Sequence, residues 1–171
     1  RNQLEQSLEK YTDLYDFSPV GHFTLARDGT IQEVNLTGAT LLATDRTYLI
    51  GVRFGLLVAN QSRLGFNAFL GRLLTGTTQE QCEIVITCNS APPRYLHLQG
   101  VGLETETGWQ YRISALDITD RKRTEAQLFD SVRQIRSLFT NVPIGMFQST
   151  PAGHFVFINP TLATMLGFAS P

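Results

Sequence analysis

Asp117 and Thr119 stand two residues apart where an extended run gives way to a long helical one, and both can hold backbone donors at a helix start. Asn35 occupies a similar junction earlier in the chain. It closes a short extended segment just before a short helix, where a side-chain amide suits a cap or a turn lock. These are hydrogen-bonding chemistries, not bond-making ones. The residue types used for catalysis are scattered. His22, His97 and His154 are far apart, and Cys82 and Cys88 have no partner pair, so no metal-ligand pattern forms. Glu104 and Glu106 fall in a turn and read as a solvated loop rather than an acid–base dyad. No Gly-x-x-x-x-Gly-Lys-Ser/Thr loop, Gly-x-Ser-x-Gly elbow or His-Glu-x-x-His helix is present. Catalysis is therefore not expected in this segment.

Composition sets the broad class. Of 171 residues, 42% are hydrophobic and 17% charged, enough apolar material for a buried core. The formal net charge of -1, from 14 Lys and Arg against 15 Asp and Glu, argues against a basic surface spread over the whole domain. The run Arg121-Lys122-Arg123 has no aromatic platform beside it and reads as a solvated helix face, so no nucleic acid is expected as a partner. The longest apolar stretch, Tyr48 to Ala59, is broken by Arg53 and falls short of the roughly 18 apolar residues a membrane span needs. Two cysteines are too few for a disulfide framework, and no charged-then-apolar leader opens the chain. The expectation is a reduced, cytoplasmic setting with no membrane in this segment.

The elements that must position these residues follow from periodicity. Asn2 to Phe17 carries Leu4, Leu8, Tyr11 and Tyr15 on one helical face, and Ser18-Pro19 ends it. Two short strands follow, Gly21 to Ala26 and Thr30 to Asn35, around an Arg27-Asp28-Gly29 turn. Leu36 to Leu42 reads as a short helix, and Leu49 to Val58 as a buried irregular stretch or short helices. Asn60 or Ser62 is placed to cap a helix over Arg63 to Leu74, with Phe66, Phe69, Leu70, Leu73 and Leu74 on its apolar side. Three strands come next, Cys82 to Cys88, Arg94 to Gly102 and Trp109 to Asp117, joined by turns at Asn89 to Pro93 and Glu104 to Gly108. Their faces are not cleanly polar and apolar, so both sides of the sheet are expected to be covered. Tyr95, His97 and Gln99 share one face of their strand and Leu96 and Leu98 the other; alternation alone leaves open which looks inward. His22 and His154, each beside a glycine, are expected at strand edges in water. The order describes an α+β domain of about 100 residues around one antiparallel sheet. Beyond Asp117, with Thr119 or Asp120 as cap, Leu128, Val132, Ile135, Phe139 and Val142 form a helical stripe long enough to seam against a partner helix.

The chain also repeats itself. A gapless shift of 124 positions sets Pro19 on Pro143, Gly21 on Gly145, Phe23 on Phe147, Gly29 on Gly153 and Asn35 on Asn159. Thr37, Ala39, Thr40 and Leu42 match in the same register, nine identities over positions 19 to 42. Leu14 falls on Leu138 and Tyr15 on Phe139. A second copy of the fold is expected to begin near Phe139 and to stop about a third of the way in. Such a fragment needs a borrowed surface to bury a core.

Ser18-Pro19-Val20-Gly21 before a strand, followed by Asp28-Gly29-Thr30-Ile31 and Val34-Asn35, resembles the opening of a PAS domain. The stretch Ala115-Leu116-Asp117-Ile118-Thr119-Asp120-Arg121-Lys122-Arg123-Thr124-Glu125 resembles the PAS-associated C-terminal motif. The resemblance covers roughly residues 10 to 125, and residues 133 to 171 resemble the start of a second such domain. It implies a five-stranded antiparallel sheet in the order 2-1-5-4-3, short helices over one face enclosing a small cavity, and flanking N- and C-terminal signalling helices. The domain plan is then an N-terminal amphipathic helix over 1–17, a PAS domain over 18–118, a connector helix over 119–138 and an incomplete second PAS domain over 139–171.

The same resemblance implies a role. It points to a sensory, signal-transducing and dimerisation module of a multidomain bacterial signalling protein, a sensor histidine kinase first and a cyclic-di-GMP enzyme next, with the output domain in the same chain. A homodimer is implied through Leu4, Leu8, Tyr11 and Tyr15 on the first helix and Leu128, Val132, Ile135 and Phe139 on the outgoing one. Asp117 and Thr119, with Asn35, form the implied signal relay. A pocket for a small-molecule ligand would be lined by Phe54, Leu57, Phe66, Phe69, Leu70, Ile84, Leu96, Leu98, Tyr111 and Ile113, residues that serve equally as plain core. The alternative is a structural spacer with a filled core that binds no ligand and only mediates dimerisation. No Asn-Cys-Arg-Phe-Leu-Gln-like string is present, which argues against a flavin photoadduct. His97 lies on a strand rather than a helix, which argues against haem. The cofactor is otherwise unknown.

Overall fold

Hydrophobic alternation along five segments builds one antiparallel sheet. In the computed structural model, which describes residues 2–76, 78–88, 91–169 and 171, the strands are β1 (Gly21–Ala26), β2 (Ile31–Val34), β3 (Glu80–Ile86), β4 (Arg94–Thr105) and β5 (Gly108–Asp117). Their order is β2-β1-β5-β4-β3. Helices α1 (Asn2–Asp16), α2 (Leu36–Leu41), α3 (Arg46–Leu49) and α4 (Asn60–Thr75), with a 3-10 turn at Phe54–Leu56, complete a unit spanning Arg1–Asp120. This is the α+β class and the strand order expected from the sequence. A second unit, Arg121–Pro171, holds all but the first two residues of α5 (Thr119–Asn141), together with β6 (Phe147–Ser149), β7 (Phe155–Ile158) and α6 (Pro160–Met165). Within it β6 and β7 pair antiparallel.

Strand register decides which face looks inward. Phe23 lies opposite Ile113, and Leu98 opposite Ala115, so Phe23, Leu25, Leu96, Leu98, Tyr111 and Ile113 project to one side. There they meet Leu42, Leu49, Phe54, Phe66, Phe69 and Leu73 from the helices and the 3-10 turn, in one buried cluster. The alternation on β4 is thereby resolved: Leu96 and Leu98 face the core, while Tyr95, His97 and Gln99 face away. The rings of Phe23, Phe54, Phe66 and Phe69 run in series, with centroids 5.1, 5.3 and 6.3 Å apart. Each such ring contributes about 1.5–3 kcal/mol on burial, so this file of rings sets where α4 lies against the sheet.

The end of α4 approaches β4 more closely than side chains would allow. At Gly102 a Cβ would sit 2.4 Å from the Leu73 carbonyl oxygen and 2.5 Å from Cζ2 of Trp109. Backbone and indole leave no volume for a methyl group there.

Several expectations need correction. Helix α4 starts at Asn60, three residues before Arg63, and the cap position is Ala59, which makes no side-chain bond. Ser62 does not cap it either, because its hydroxyl accepts from the Val85 amide at 3.0 Å and ties the helix to β3. Strand β3 is shifted to Glu80–Ile86 and leaves Cys88 outside, since the ladder with β4 runs from Glu80↔Gly100 to Ile86↔Arg94. Strand β4 continues to Thr105, which pairs with Gly108 across a tight turn. The expected turn at Asn89 to Pro93 includes Asn89 and Ser90, which lie outside the described residues. His22 is not at an edge: β1 runs between β2 and β5, and its imidazole is half-buried, stacked 5.8 Å from the Tyr15 ring. The outer face of the sheet is only partly covered, with Tyr95 and Leu116 exposed.

Replacing Gly102 by Ala is expected to lower stability by about 1–3 kcal/mol through overpacking. Gly71→Ala, in α4 where a Cβ would meet nothing within 4 Å, is expected to raise it by about 0.5–1 kcal/mol. Urea unfolding midpoints of the two variants check both signs.

Candidate functional site

Asn35 has a fully buried side chain and uses all of its hydrogen-bonding capacity. Its Oδ1 accepts from the His22 amide at 2.8 Å and from the Gly38 amide at 2.8 Å, the second bond capping α2. Its Nδ2 donates to the Tyr15 carbonyl at 2.8 Å and the Val20 carbonyl at 3.0 Å. One amide therefore joins the last turn of α1, the start of β1 and the N-terminus of α2. The approach is close because residue 38 is glycine: a Cβ there would lie 2.7 Å from Val34 Cγ2 and 2.9 Å from the Phe23 ring. Two further contacts hold the same corner. Asp16 Oδ1 accepts from the Leu36 amide at 3.2 Å and pairs with Arg46 of α3. Thr37 Oγ1 donates to the Ser18 carbonyl at 2.5 Å.

At the far end of α2 lies the second polar cluster. Arg94 Nη1 donates to the Thr40 carbonyl at 3.3 Å and stands 4.0 Å from Asp117 Oδ2. Asp117 Oδ1 accepts from the Thr119 amide at 2.9 Å and from its hydroxyl at 2.5 Å, and Thr119 Oγ1 accepts from the Tyr95 amide at 3.0 Å. The Ile118 amide donates to the Tyr95 carbonyl at 2.9 Å. The end of β5 and the first residue of α5 are thus pinned to the start of β4. The structure therefore brings Asp117 and Thr119 together, and it places Asn35 at the opposite end of α2 with Arg94 at the near end. Arg94, Asp16 and Arg46 were not singled out in the sequence. The only local signal was the position of Arg94 at a strand start, and its contact with Thr40 spans 54 residues.

Of the ten residues expected to serve as pocket wall or as core, eight are buried and two half-buried. Phe54, Phe66, Phe69, Ile84, Leu96, Leu98, Tyr111 and Ile113 are buried in the one cluster, and Leu57 and Leu70 pack against it. An open cleft of about 910 Å³ lies instead on the other side of the sheet, between α1 and the outward residues of β1, β2, β4 and β5. Burial first, and then the Glu33 carboxylate, push the pKa of the Tyr15 hydroxyl up at its wall. On the flanking helices, Leu4, Leu8, Tyr11, Leu128, Val132 and Ile135 are exposed, while Tyr15 and Phe139 are half-buried, Phe139 lying 4.5 Å from the Phe157 ring.

The Cys82 thiol is pushed up to about 11 by burial, against the pull of Arg72, and burial likewise raises Cys88 against Arg94. Among the described residues no group of three or more His, Cys, Asp and Glu could hold a metal ion. Among them, too, no helix is long and apolar enough to cross a membrane.

The second unit reproduces the Asn35 node. Asn159 Oδ1 accepts from the Met146 amide at 2.8 Å and the Leu162 amide at 3.0 Å, and its Nδ2 donates to the Phe139 and Ile144 carbonyls at 3.1 and 2.9 Å. Each partner lies 124 positions after its counterpart around Asn35. Thr161 donates to the Val142 carbonyl at 2.7 Å as Thr37 does to Ser18.

Comparison with known proteins agrees with this geometry. A family model described as PAS domain matches residues 19–120, and another of the same description matches 133–170. No curated protein sequence matches the chain. Among solved structures, the PAS domain of an HTR-like protein from Haloarcula marismortui superposes with a TM-score of 0.58 at 21% identity, covering 68% of this chain and 96% of that one. A sensory box histidine kinase/response regulator from Burkholderia thailandensis gives 0.60 at 17% identity over 75% and 99%. A domain of a sensory box sensor histidine kinase/response regulator from Geobacter sulfurreducens gives 0.53 at 17% over 67% and 96%.

Truncating Asn35 to Ala deprives two backbone amides and two carbonyls of their partner at a fully buried side chain, and is expected to cost about 2–3 kcal/mol of stability, measured by urea unfolding. Alkylation of Cys82 by iodoacetamide at pH 8 is expected to run at least about tenfold slower than that of free cysteine, because so little thiolate is present.

Proposed function

The chain belongs to the PAS domain family, and from that premise we propose that it is a sensory and signal-relaying module of a multidomain signalling protein. The observation that carries this reading is the chain of polar contacts from α1 through Asn35, α2, Arg94, Asp117 and Thr119 into α5. Both ends of α2 are held by side chains, so a displacement of α1 has a bonded route to the outgoing helix. Such a relay requires two arrangements of the contacts with different ligand or partner affinities. No catalytic step is assigned to this segment. The output domain lies in the same chain, a histidine kinase in the first instance, consistent with the names of the Burkholderia and Geobacter relatives, and a cyclic-di-GMP enzyme in the second.

The domain plan supported here is a helix over 1–17, a PAS domain over 18–118, a connector over 119–138 and the opening of a second PAS domain over 139–171. The repeated Asn159 node and the family match over 133–170 support the last part. A cytoplasmic homodimer is proposed through the stripes Leu4, Leu8, Tyr11 on α1 and Leu128, Val132, Ile135 on α5, each of which is more than half exposed.

The filled interior favours a second reading. With the candidate pocket residues packed as core, the domain would serve as a spacer that pairs subunits without binding anything. A double-mutant cycle separates the two. Asn35 and Thr119 share no contact, so Asn35→Ser and Thr119→Val destabilise additively, within about 0.5 kcal/mol, if the domain is a passive spacer. A coupling clearly above that margin is the result expected of a relay. Light-scattering mass at micromolar concentration tests the seam: a dimer is expected, with Ile135→Glu shifting it toward monomer.

A further inference from the structure

We propose that the cleft between α1 and the outer face of the sheet binds a small zwitterion of the α-amino-acid class, its carboxylate on Arg112 and its ammonium on Glu33. Thr24 pairs with Glu33 on one side and with Arg112 on the other, so the two opposite charges rise from one row of the same sheet face, two strand spacings apart, about 10 Å between Cα atoms. Neither has an ion-pair partner among the described residues. Glu33 receives only a long 3.4 Å bond from the Thr24 hydroxyl. Asp16 and Arg46, also on the cleft, are by contrast paired with each other. A ligand carrying both charges a few ångströms apart satisfies Arg112 and Glu33 together, the guanidinium offering a two-pronged fit to a carboxylate. The rings of Tyr11 and Tyr15 form the wall against which its side chain lies.

The repeat supplies an internal control. A cleft of about 280 Å³ in the second unit is lined by Ile135, Arg136, Phe139 and Phe157, among others. The 124-residue shift places these on Tyr11, Thr12, Tyr15 and Glu33. The helix-over-strand cleft is therefore common to both units, but Phe157 replaces Glu33 and its ring lies against Phe139. The acidic member of the charged pair belongs to the first cleft alone. The proposal concerns binding only; it supplies a ligand for the sensory reading, which rests separately on the relay.

The test is a titration of the intact chain, followed by amide resonances, with each of the free protein amino acids at millimolar concentration. Saturable shifts at Thr24, Glu33 and Arg112 are expected for at least one of them. The N-acetyl and carboxamide forms of that amino acid are expected to bind at least about tenfold more weakly, as are R112Q and E33Q. Both substituted side chains are exposed, and undisturbed resonances of α4 and β3 confirm that the variants fold. Three results overturn the proposal: no amino acid shifts these amides, the neutralised forms bind as well as the free one, or the shifts gather at Phe66, Phe69 and Ile113. The last would place a ligand inside the core and leave the sensory reading standing without this site.

Discussion

One buried carboxamide holds the architecture at its most demanding corner. Burying an amide is costly unless every donor and acceptor is met, and Asn35 meets all four of its own while satisfying four backbone groups that would otherwise be orphaned. Those groups belong to three elements that local hydrogen bonding cannot join. The C-terminal turn of α1 has free carbonyls, the N-terminus of α2 has free amides, and the start of β1 has one of each outside its ladders. Aspartate would lack the two donors and serine the reach. The same amide recurs at Asn159 with the four equivalent partners in a second unit.

From this corner the sheet inherits its asymmetry. Its inner face is sealed by Phe23, Phe54, Phe66 and Phe69, whose stacking leaves α4 pressed against Gly102. Its outer face remains polar and partly open beneath α1. Short α2 is fastened at both ends by side chains, Asn35 at one and Arg94 at the other. The exposed members of these contacts, such as the 4.0 Å pair of Arg94 and Asp117, are individually weak. In the proposed relay such weak contacts would connect rigid pieces while costing little to exchange between two states.

Much of this was legible in the sequence, for identifiable reasons. The strand order followed only from the resemblance carried by the motifs at Ser18–Asn35 and Ala115–Glu125. The strands themselves were readable because turn residues and apolar alternation are local, and the 124-residue repeat doubled the signals around Asn35. The cap at Asn35 was readable for the same reason, while its bond to the Tyr15 carbonyl, twenty residues away, was not. The glycine beside His22 suggests an edge, but the strand order places β1 between β2 and β5, and that non-local order outweighs the local signal. Period-two alternation could not say which face of β4 points inward; that follows from where α4 lands. Arg94 and the pairing of Asp16 with Arg46 depend on segments brought together by the whole fold, and no spacing rule reaches them. The cleft under α1 is likewise a product of packing, composed of residues from six elements.

The most direct test of this account is amide hydrogen exchange on the intact chain and on its Asn35→Ala variant, read residue by residue. If Asn35 couples the incoming helix to the outgoing one, protection falls at His22 and Gly38 and also at Tyr95 and Thr119, at the opposite end of α2, by more than at core amides such as Ile84 and Phe66, whose loss reports only the global destabilisation. Loss confined to His22, Gly38 and the first turn of α2, with Tyr95 and Thr119 unchanged, would contradict it and leave Asn35 a local cap.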